Sequence, residues 1–461
     1  MAAISRPVLL RAPGVNAALL ALLLVVLWIA GGASRADATG QLLTRGACWA
    51  AIVIAALAGR RPDWRAARGP LLILSAAILI VGVQLLPLPP LVWQSLPGRA
   101  PFAEAAALVG QPQPWRPLAI VPDAAVNALS SLVVPATVIL LVAGSNEAEL
   151  TALPGALLAL VAASALLGVL QFSGAGLNNP LVNFSPGDVS GTFANRNHFA
   201  LLLAIGCILA PAWAYMGGRR PGWRPPVALG LVLLFVLIIL GSGSRAGVLL
   251  AGIGLVAGLF LARRGIRHAL RKAPRWVTPA ILVAIIGTIA IFVLVSIAAD
   301  RAMSLDRVLT MQGEQDMRTR GLPVVVSMIR LYFPAGSGFG GFDPMFRLHE
   351  PFELLKPTYF NHAHNDFAEI VLDGGLPALL LIGASIVWWA VAGLRAWRSR
   401  DAETAMRARI GSAVILLVLV GSTVDYPART PLIMAIATIA ALWLSPNTVS
   451  GPTLPERSQH L

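Results

Sequence analysis

The sequence predicts an all-α polytopic membrane protein, and three observations carry that expectation. Of 461 residues, 57% are hydrophobic and 12% are charged, where a soluble domain carries roughly 25% charged residues. The segment Leu231–Leu240 (LVLLFVLIIL) has no polar side chain at all. The basic residues gather in short clusters between apolar runs, as positively charged loops do on one side of a membrane.

Spanning a bilayer takes about 20 mostly apolar residues, fewer where flanking arginines reach the interface. On that criterion the chain has about twelve transmembrane helices, near 13–31, 42–59, 70–87, 127–143, 153–171, 196–216, 227–241, 246–262, 277–298, 376–394, 409–424 and 430–446. Arg6 and Arg11 before the first apolar run also fit a signal peptide. The length of that run and the lack of a clear cleavage site favour an uncleaved helix.

Charge sets the orientation. Arg60, Arg61, Arg65 and Arg68 follow the second helix; Arg219, Arg220 and Arg224 follow the sixth. Arg263, Arg264, Arg267, Arg271, Lys272 and Arg275 follow the eighth, and Arg395, Arg398, Arg400, Arg407 and Arg409 the tenth. Every cluster falls after an even-numbered helix, which places both termini in the cytoplasm. The net charge of +14 therefore reports topology rather than nucleic acid, which would need a basic hydrophilic face.

The expected organisation is membrane helices over 1–298, an outer loop subdomain at 299–375, membrane helices over 376–446 and a cytoplasmic tail at 447–461. A stretch of about 75 residues between membrane helices is too long for a connector and is usually functional. A second outer loop, about 88–126, is proline-rich and is expected to ride the membrane interface through Trp93 and Trp115.

Several chemistries lack their residues. Cys48 and Cys207 both sit in apolar runs and read as small buried hydrophobes, so no disulfide or thiol chemistry is assigned. The run Gly336-Ser-Gly-Phe-Gly-Gly-Phe342 is not followed by the Gly-Lys-Ser/Thr of an ATP-binding loop. It reads as a tight turn beside the site. No Asp-x-Asp pair for a sugar-nucleotide metal occurs, and Glu314-Gln-Asp316 is the nearest acidic pair. His362 and His364 have no third ligand in metal-site spacing. Neither a metal nor another cofactor is expected.

What remains is a polar set on the outer side. Asn361-His-Ala-His-Asn-Asp-Phe-Ala-Glu369 is the densest polar cluster. A histidine there can take a proton near neutral pH, while Asn365 or Asp366 can equally cap the following helix. Arg245, in the turn Gly241-Ser-Gly-Ser-Arg-Ala-Gly247, lies on the side that should lack basic residues. It either snorkels to lipid phosphate or binds a phosphate group of a ligand. Arg196, flanked by Asn195 and Asn197, opens the sixth helix, where an N-terminus favours anions and either asparagine can cap. Arg318 and Arg320 stand in the long loop.

These segments resemble the O-antigen ligase and polymerase superfamily of bacterial membrane glycan enzymes. The matching stretches are GTFANRNHFA (191–200), GSGSRAG (241–247), YFPAGSGFGGF (332–342) and NHAHNDFAEIVLDGGLPALLL (361–381), with QLLPLPPLVWQSLPGR (84–99) like a bacterial subgroup. The resemblance implies a GT-C-like fold in the bacterial inner membrane with its active site at the periplasmic face. It implies metal-independent transfer of a glycan from a polyprenyl-diphosphate carrier to an acceptor sugar, such as lipid A–core, without ATP. By the same likeness His364 is the general base, and Arg245 and Arg318 serve catalysis at the diphosphate. Arg196, Asn195, Asn197, Asn365 and Arg320 bind substrate, with Arg320 the alternative to Arg318.

The family's Gly-x-x-Gly after the histidine reads Gly375-Leu-Pro-Ala378 here, which bears on the choice between ligase and repeat-unit polymerase. Other outer basic residues (Arg35, Arg45, Arg99, Arg116, Arg301, Arg307, Arg330, Arg347 and Lys356) are scattered. A second diphosphate-bearing carrier would call for a second cationic site, so their scatter leans towards the ligase. A glycolipid flippase, the competing class, is disfavoured because the polar residues gather at one face and not at mid-membrane in symmetric halves.

The orientation is directly testable. Reporter fusions at Arg267 and Gln312 should report opposite sides of the membrane; the same side for both contradicts the topology.

Overall fold

A computed structural model of the chain describes residues 13–177, 179–182, 188–216, 222–280, 314–355, 360–400 and 405–445, with short pieces between 282 and 290; the side chains of 314–318 are not among what it describes. Among these residues the fold is helical, apart from one two-residue antiparallel pairing of Pro87–Leu88 with Arg116–Pro117.

The apolar segments become α1 (Val15–Ala30), α2 (Thr39–Ala58), α3 (Arg68–Gln84), α6 and α7 (Pro122–Ser131 and Val133–Ala143), α8 (Glu147–Phe172), α9 (Arg196–Tyr215), α10 (Arg224–Gly241) and α11 (Arg245–Lys272). Short α4 (Pro90–Gln94) and α5 (Ala100–Leu108) precede α6. Then follow α12 (Glu314–Tyr332), α13 (Phe342–His349), α14 (Asp366–Arg398), α15 (Met406–Ser422) and α16 (Pro431–Leu444). Seven of the described helical stretches are long and apolar enough to cross a membrane, and α1, α3 and α16 are shorter apolar helices. The predicted ninth helix, 277–298, and the tail at 447–461 lie largely or wholly outside the described residues.

The bundle is built around α9, of which 89% of the apolar window is buried. A helix apolar on every side has no face for lipid or water and is enclosed by others. α11 approaches it closely through Gly254 and Gly258, spaced one turn apart. A Cβ on Gly254 would lie 2.6 Å from the Ala204 carbonyl oxygen, and one on Gly258 would lie 2.3 Å from that of Cys207. Small residues at this spacing let two backbones meet where lipid offers no hydrophobic drive.

The two ends of the bundle differ in chemistry. At one end Gly14 N donates to Glu149, Asn16 bonds the backbone of Arg60, and Arg407 pairs with Glu147. The basic clusters at 60–68 and 395–409 therefore meet at the end where α1 and α8 begin. At the other end Ala194 N donates to the Gly32 carbonyl and Leu432 N to that of Gly31. This second end carries the polar residues of the 361–369 segment.

Two expectations need correction. Trp93 does not ride an interface: it is 1% exposed, donates from Nε1 to the Pro114 carbonyl and carries the Arg116 guanidinium over its ring. Trp115 is 65% exposed. The helix expected from 376 starts ten residues earlier, at Asp366, and is kinked at Gly375 (φ 59°). The glycine run 336–341 packs against that kink. Ser337 N and Gly338 N donate to the Leu372 and Asp373 carbonyls, and Gly340 N donates to Asp373 Oδ2.

Gly375 has both a left-handed backbone and no room, since a Cβ there would lie 2.0 Å from the Pro334 carbonyl oxygen. Gly375→Ala should cost about 1–3 kcal/mol or more and lower the unfolding midpoint in detergent. Gly383→Ala, on the same helix with open space around it, should leave the midpoint unchanged.

Candidate functional site

The site is assembled where the turn between α15 and α16 meets the starts of α9 and α14. α9 begins at Arg196 because Asn195 caps it, its side chain accepting from Asn197 N at 2.8 Å. α14 begins at Asp366 because Asn365 caps it, accepting from Ala368 N at 3.0 Å, while Asn365 Nδ2 donates to the Thr423 carbonyl. α11 begins at Arg245, capped by Ser244 through Gly247 N at 2.9 Å. Three capped N-termini thus carry Arg196, Arg245 and the asparagines singled out from the sequence, with His364 just ahead of the third.

Asp425, in the α15–α16 turn, joins them. Its Oδ2 accepts from Asn197 Nδ2 at 2.6 Å and from Asn195 Nδ2 at 3.1 Å. Its Oδ1 lies 3.2 Å from His364 Nδ1 and accepts from Tyr426 N at 3.0 Å. His198 Nε2 stands 3.7 Å from the same oxygen, within charge range but beyond a hydrogen bond. Burial alone would raise this carboxyl, but the neighbouring His198 and His364 imidazoles hold it well below the usual carboxylate range. His364 is held in a left-handed conformation, φ 51°, which is uncommon for a residue with a side chain and marks a position fixed by its surroundings.

Arg245 is connected to this cluster by its neighbour: Ser244 Oγ donates to Asn197 Oδ1 at 2.7 Å. Arg196 is partly buried and faces Asp188 at 3.5 Å. Arg320 is exposed and donates to the Glu353 carbonyl at 3.3 Å. Arg318 lies on α12, and its side chain falls outside the described residues. The structure therefore gathers His364, Asn195, Asn197, Asn365 and the Arg245 turn, while Arg320 stands on α12, where its neighbour Gly321 faces the Phe360 ring that packs against His364.

A second charged cluster lies beside the first. Asp366, Glu369 and Asp373 fall at i, i+3 and i+7, one face of α14, and all three are at most 2% exposed. They surround Arg429: Nε is 3.2 Å from Asp366, and Nη2 is 3.2 Å from Glu369 and 3.9 Å from Asp373. Glu369 also lies 2.9 Å from His362 Nδ1 and accepts from Ala363 N. Tyr426 stands between the two histidines, its ring 4.2 Å from that of His362 and 5.0 Å from that of His364. Among the described residues no group of three or more His, Cys, Asp and Glu is placed to hold a metal ion.

Sequence reasoning missed Asp425 and Arg429. A signal was present for Arg429: it is an arginine in an outer turn, the criterion that selected Arg245. For Asp425 the signal was weak, one acidic residue between two apolar helices and 61 positions from His364. Residues 229–383 match the family model described as O-Antigen ligase. That range contains Arg245, His362, His364 and the three carboxylates of α14, while Asp425 and Arg429 lie beyond it. No curated protein matches the chain.

Proposed function

This chain belongs to the O-antigen ligase superfamily, and from that premise we propose that it transfers a glycan from a polyprenyl-diphosphate carrier to an acceptor sugar at the outer face of the bacterial inner membrane. The observation that carries the reading is the His364–Asp425 pair. With Asp425 ionised, the neutral His364 ring holds its proton on Nδ1 towards the carboxylate, leaving Nε2 as the free base. The acceptor hydroxyl attacks the anomeric carbon, its proton passes to Nε2, and the bond to the carrier oxygen breaks with its electron pair leaving on the diphosphate.

The leaving group gains negative charge as that bond breaks, and guanidinium groups aimed at its oxygens stabilise the transition state. Arg245 is assigned that role together with Arg318, and Arg196, at the start of α9, is assigned to substrate binding. The diphosphate bond itself supplies the driving force, so neither ATP nor a metal is required. The sequence favours a lipid A–core sugar as acceptor, which makes the protein a ligase; a carrier-linked repeat as acceptor would make it a polymerase.

His364→Ala should lower transfer by about 10²–10⁴-fold while expression and carrier binding persist, with His362→Ala milder. Arg245→Lys should recover only part of what Arg245→Ala loses, because an ammonium cannot make the forked contact. Transfer by purified protein should continue in excess chelator. Near-normal turnover of His364→Ala, or loss on chelation with rescue by a divalent ion, would contradict the assignment.

A further inference from the structure

The proposed reaction leaves His198 without a task. It lies in the first turn of α9, within the Asn195-Arg-Asn-His198 stretch that also caps the helix, and it is 1% exposed. Its ring meets those of Phe193 and Tyr426 edge-on, at 6.5 and 5.0 Å between centroids. A phenylalanine would make both contacts without a polar atom. Instead both ring nitrogens are buried, and neither has a hydrogen-bond partner among the described residues. Buried polar atoms left unpaired cost free energy, and a native one calls for an explanation.

One of these nitrogens faces a charge. Nε2 stands 3.7 Å from Asp425 Oδ1, and the same oxygen faces His364 Nδ1 at 3.2 Å. Two imidazoles thus flank one carboxylate oxygen. The longer separation exceeds a normal N–H···O bond by about 0.5 Å, and hydrogen bonds of a resting site often tighten only once substrate is bound. Other charged groups around the start of α9 are engaged or remote. Arg196 faces Asp188, and Arg245, at the start of α11, reaches the cluster through Ser244. His362, Glu369 and Arg429 form the adjoining node across Tyr426. The described charges of α8 (Glu147, Glu149), α10 (Arg224) and α15 (Arg407, Arg409) stand at the opposite, basic end.

We propose that His198 is a positioning residue for the transfer reaction: its Nε2–H donates to Asp425 Oδ1 in the loaded site and divides the charge that would otherwise act on His364 alone. The inference rests on the assignment of His364 as the base. A base must be neutral before it can take the acceptor's proton. An undivided carboxylate beside it favours the imidazolium, which leaves the base occupied and idle over more of the pH range. A second donor on the same oxygen weakens that pull. A charged His198 acts in the same direction, since it repels a second positive ring. The sign therefore does not depend on which form His198 holds.

The test measures transfer of carrier-linked glycan to lipid A–core against pH, with the full-length protein in detergent. His198→Phe keeps the ring and its edge contacts and removes both nitrogens. The acid limb of its profile should move up by about one pH unit. Transfer at the pH where the wild type is half-maximal on that limb then falls about fivefold, and the deficit shrinks as the pH rises. His198→Gln, whose amide nitrogen replaces Nε2, should bring the limb most of the way back. NMR of ring-labelled histidine gives a readout independent of activity: the His364 signal, assigned by its loss in His364→Ala, should titrate at higher pH in His198→Phe. A folded His198→Phe with the wild-type limb and ring titration would overturn the proposal, as would a His198→Gln shifted as far as His198→Phe. Should the phenylalanine variant not fold, His198→Met, which also lacks the N–H, takes its place under the same criteria. An active His364→Ala would instead remove the assigned base, and the ring titration would still decide whether His198 shares Asp425.

Discussion

The carboxylate of Asp425 is the point on which the site depends. It is buried, and a buried charge persists only when it is paired and hydrogen-bonded. Here the partners come from three separate parts of the chain: Asn195 and Asn197 at the start of α9, His364 before α14, and the backbone of its own turn. Satisfying one anion thus fixes the relative placement of α9, α14, α15 and α16. It also holds the ring of His364, the proposed base, with Nδ1 towards the carboxylate. The asparagines resemble substrate ligands in sequence, yet in the fold they have positional work: one caps a helix and both donate to Asp425.

Arg429 organises the adjoining node in the opposite sense, one cation among three acids. Ser422 Oγ and Ala428 N donate to Asp366, Ala363 N donates to Glu369, and Gly340 N donates to Asp373. Removing one partner of such a network leaves an uncompensated buried charge, which typically costs about 3–5 kcal/mol. The glycine run 336–341 belongs to this node. Its left-handed glycines let the backbone press onto the first turns of α14 before the kink, so the tight turn expected beside the site serves packing. Arg99 secures the same loop from outside, donating to the Leu118 and Gly336 carbonyls, and its burial lowers its pKa to about 10.

Hydropathy made most of the helices legible, because the bilayer requirement acts on each segment separately. α9, α10 and α11 begin within a few residues of where their apolar runs begin. The failures occur where a segment breaks that rule for a tertiary reason. Asp366, Glu369 and Asp373 made the first turns of α14 look like loop, since acids are costly in a membrane helix; Arg429, 56 residues beyond the last of them, is what makes them tolerable. Trp93 read as an interfacial anchor, and only the pairing of 87–88 with 116–117 brings Pro114 and Arg116 over it. His364 and Arg245 were recognisable from unusual local context. Asp425 has no unusual neighbours in sequence and acquires its meaning from residues that arrive from elsewhere.

The central claim is that Asp425 orients His364 for proton transfer. It is tested most directly by the transfer rate of purified Asp425→Asn, which keeps the side-chain shape and removes the charge that selects the tautomer. Carrier binding and the unfolding midpoint are measured alongside it. The account predicts a loss of about 10²–10⁴-fold in rate with binding retained. A rate near that of the wild type, in protein that folds and binds normally, would contradict it.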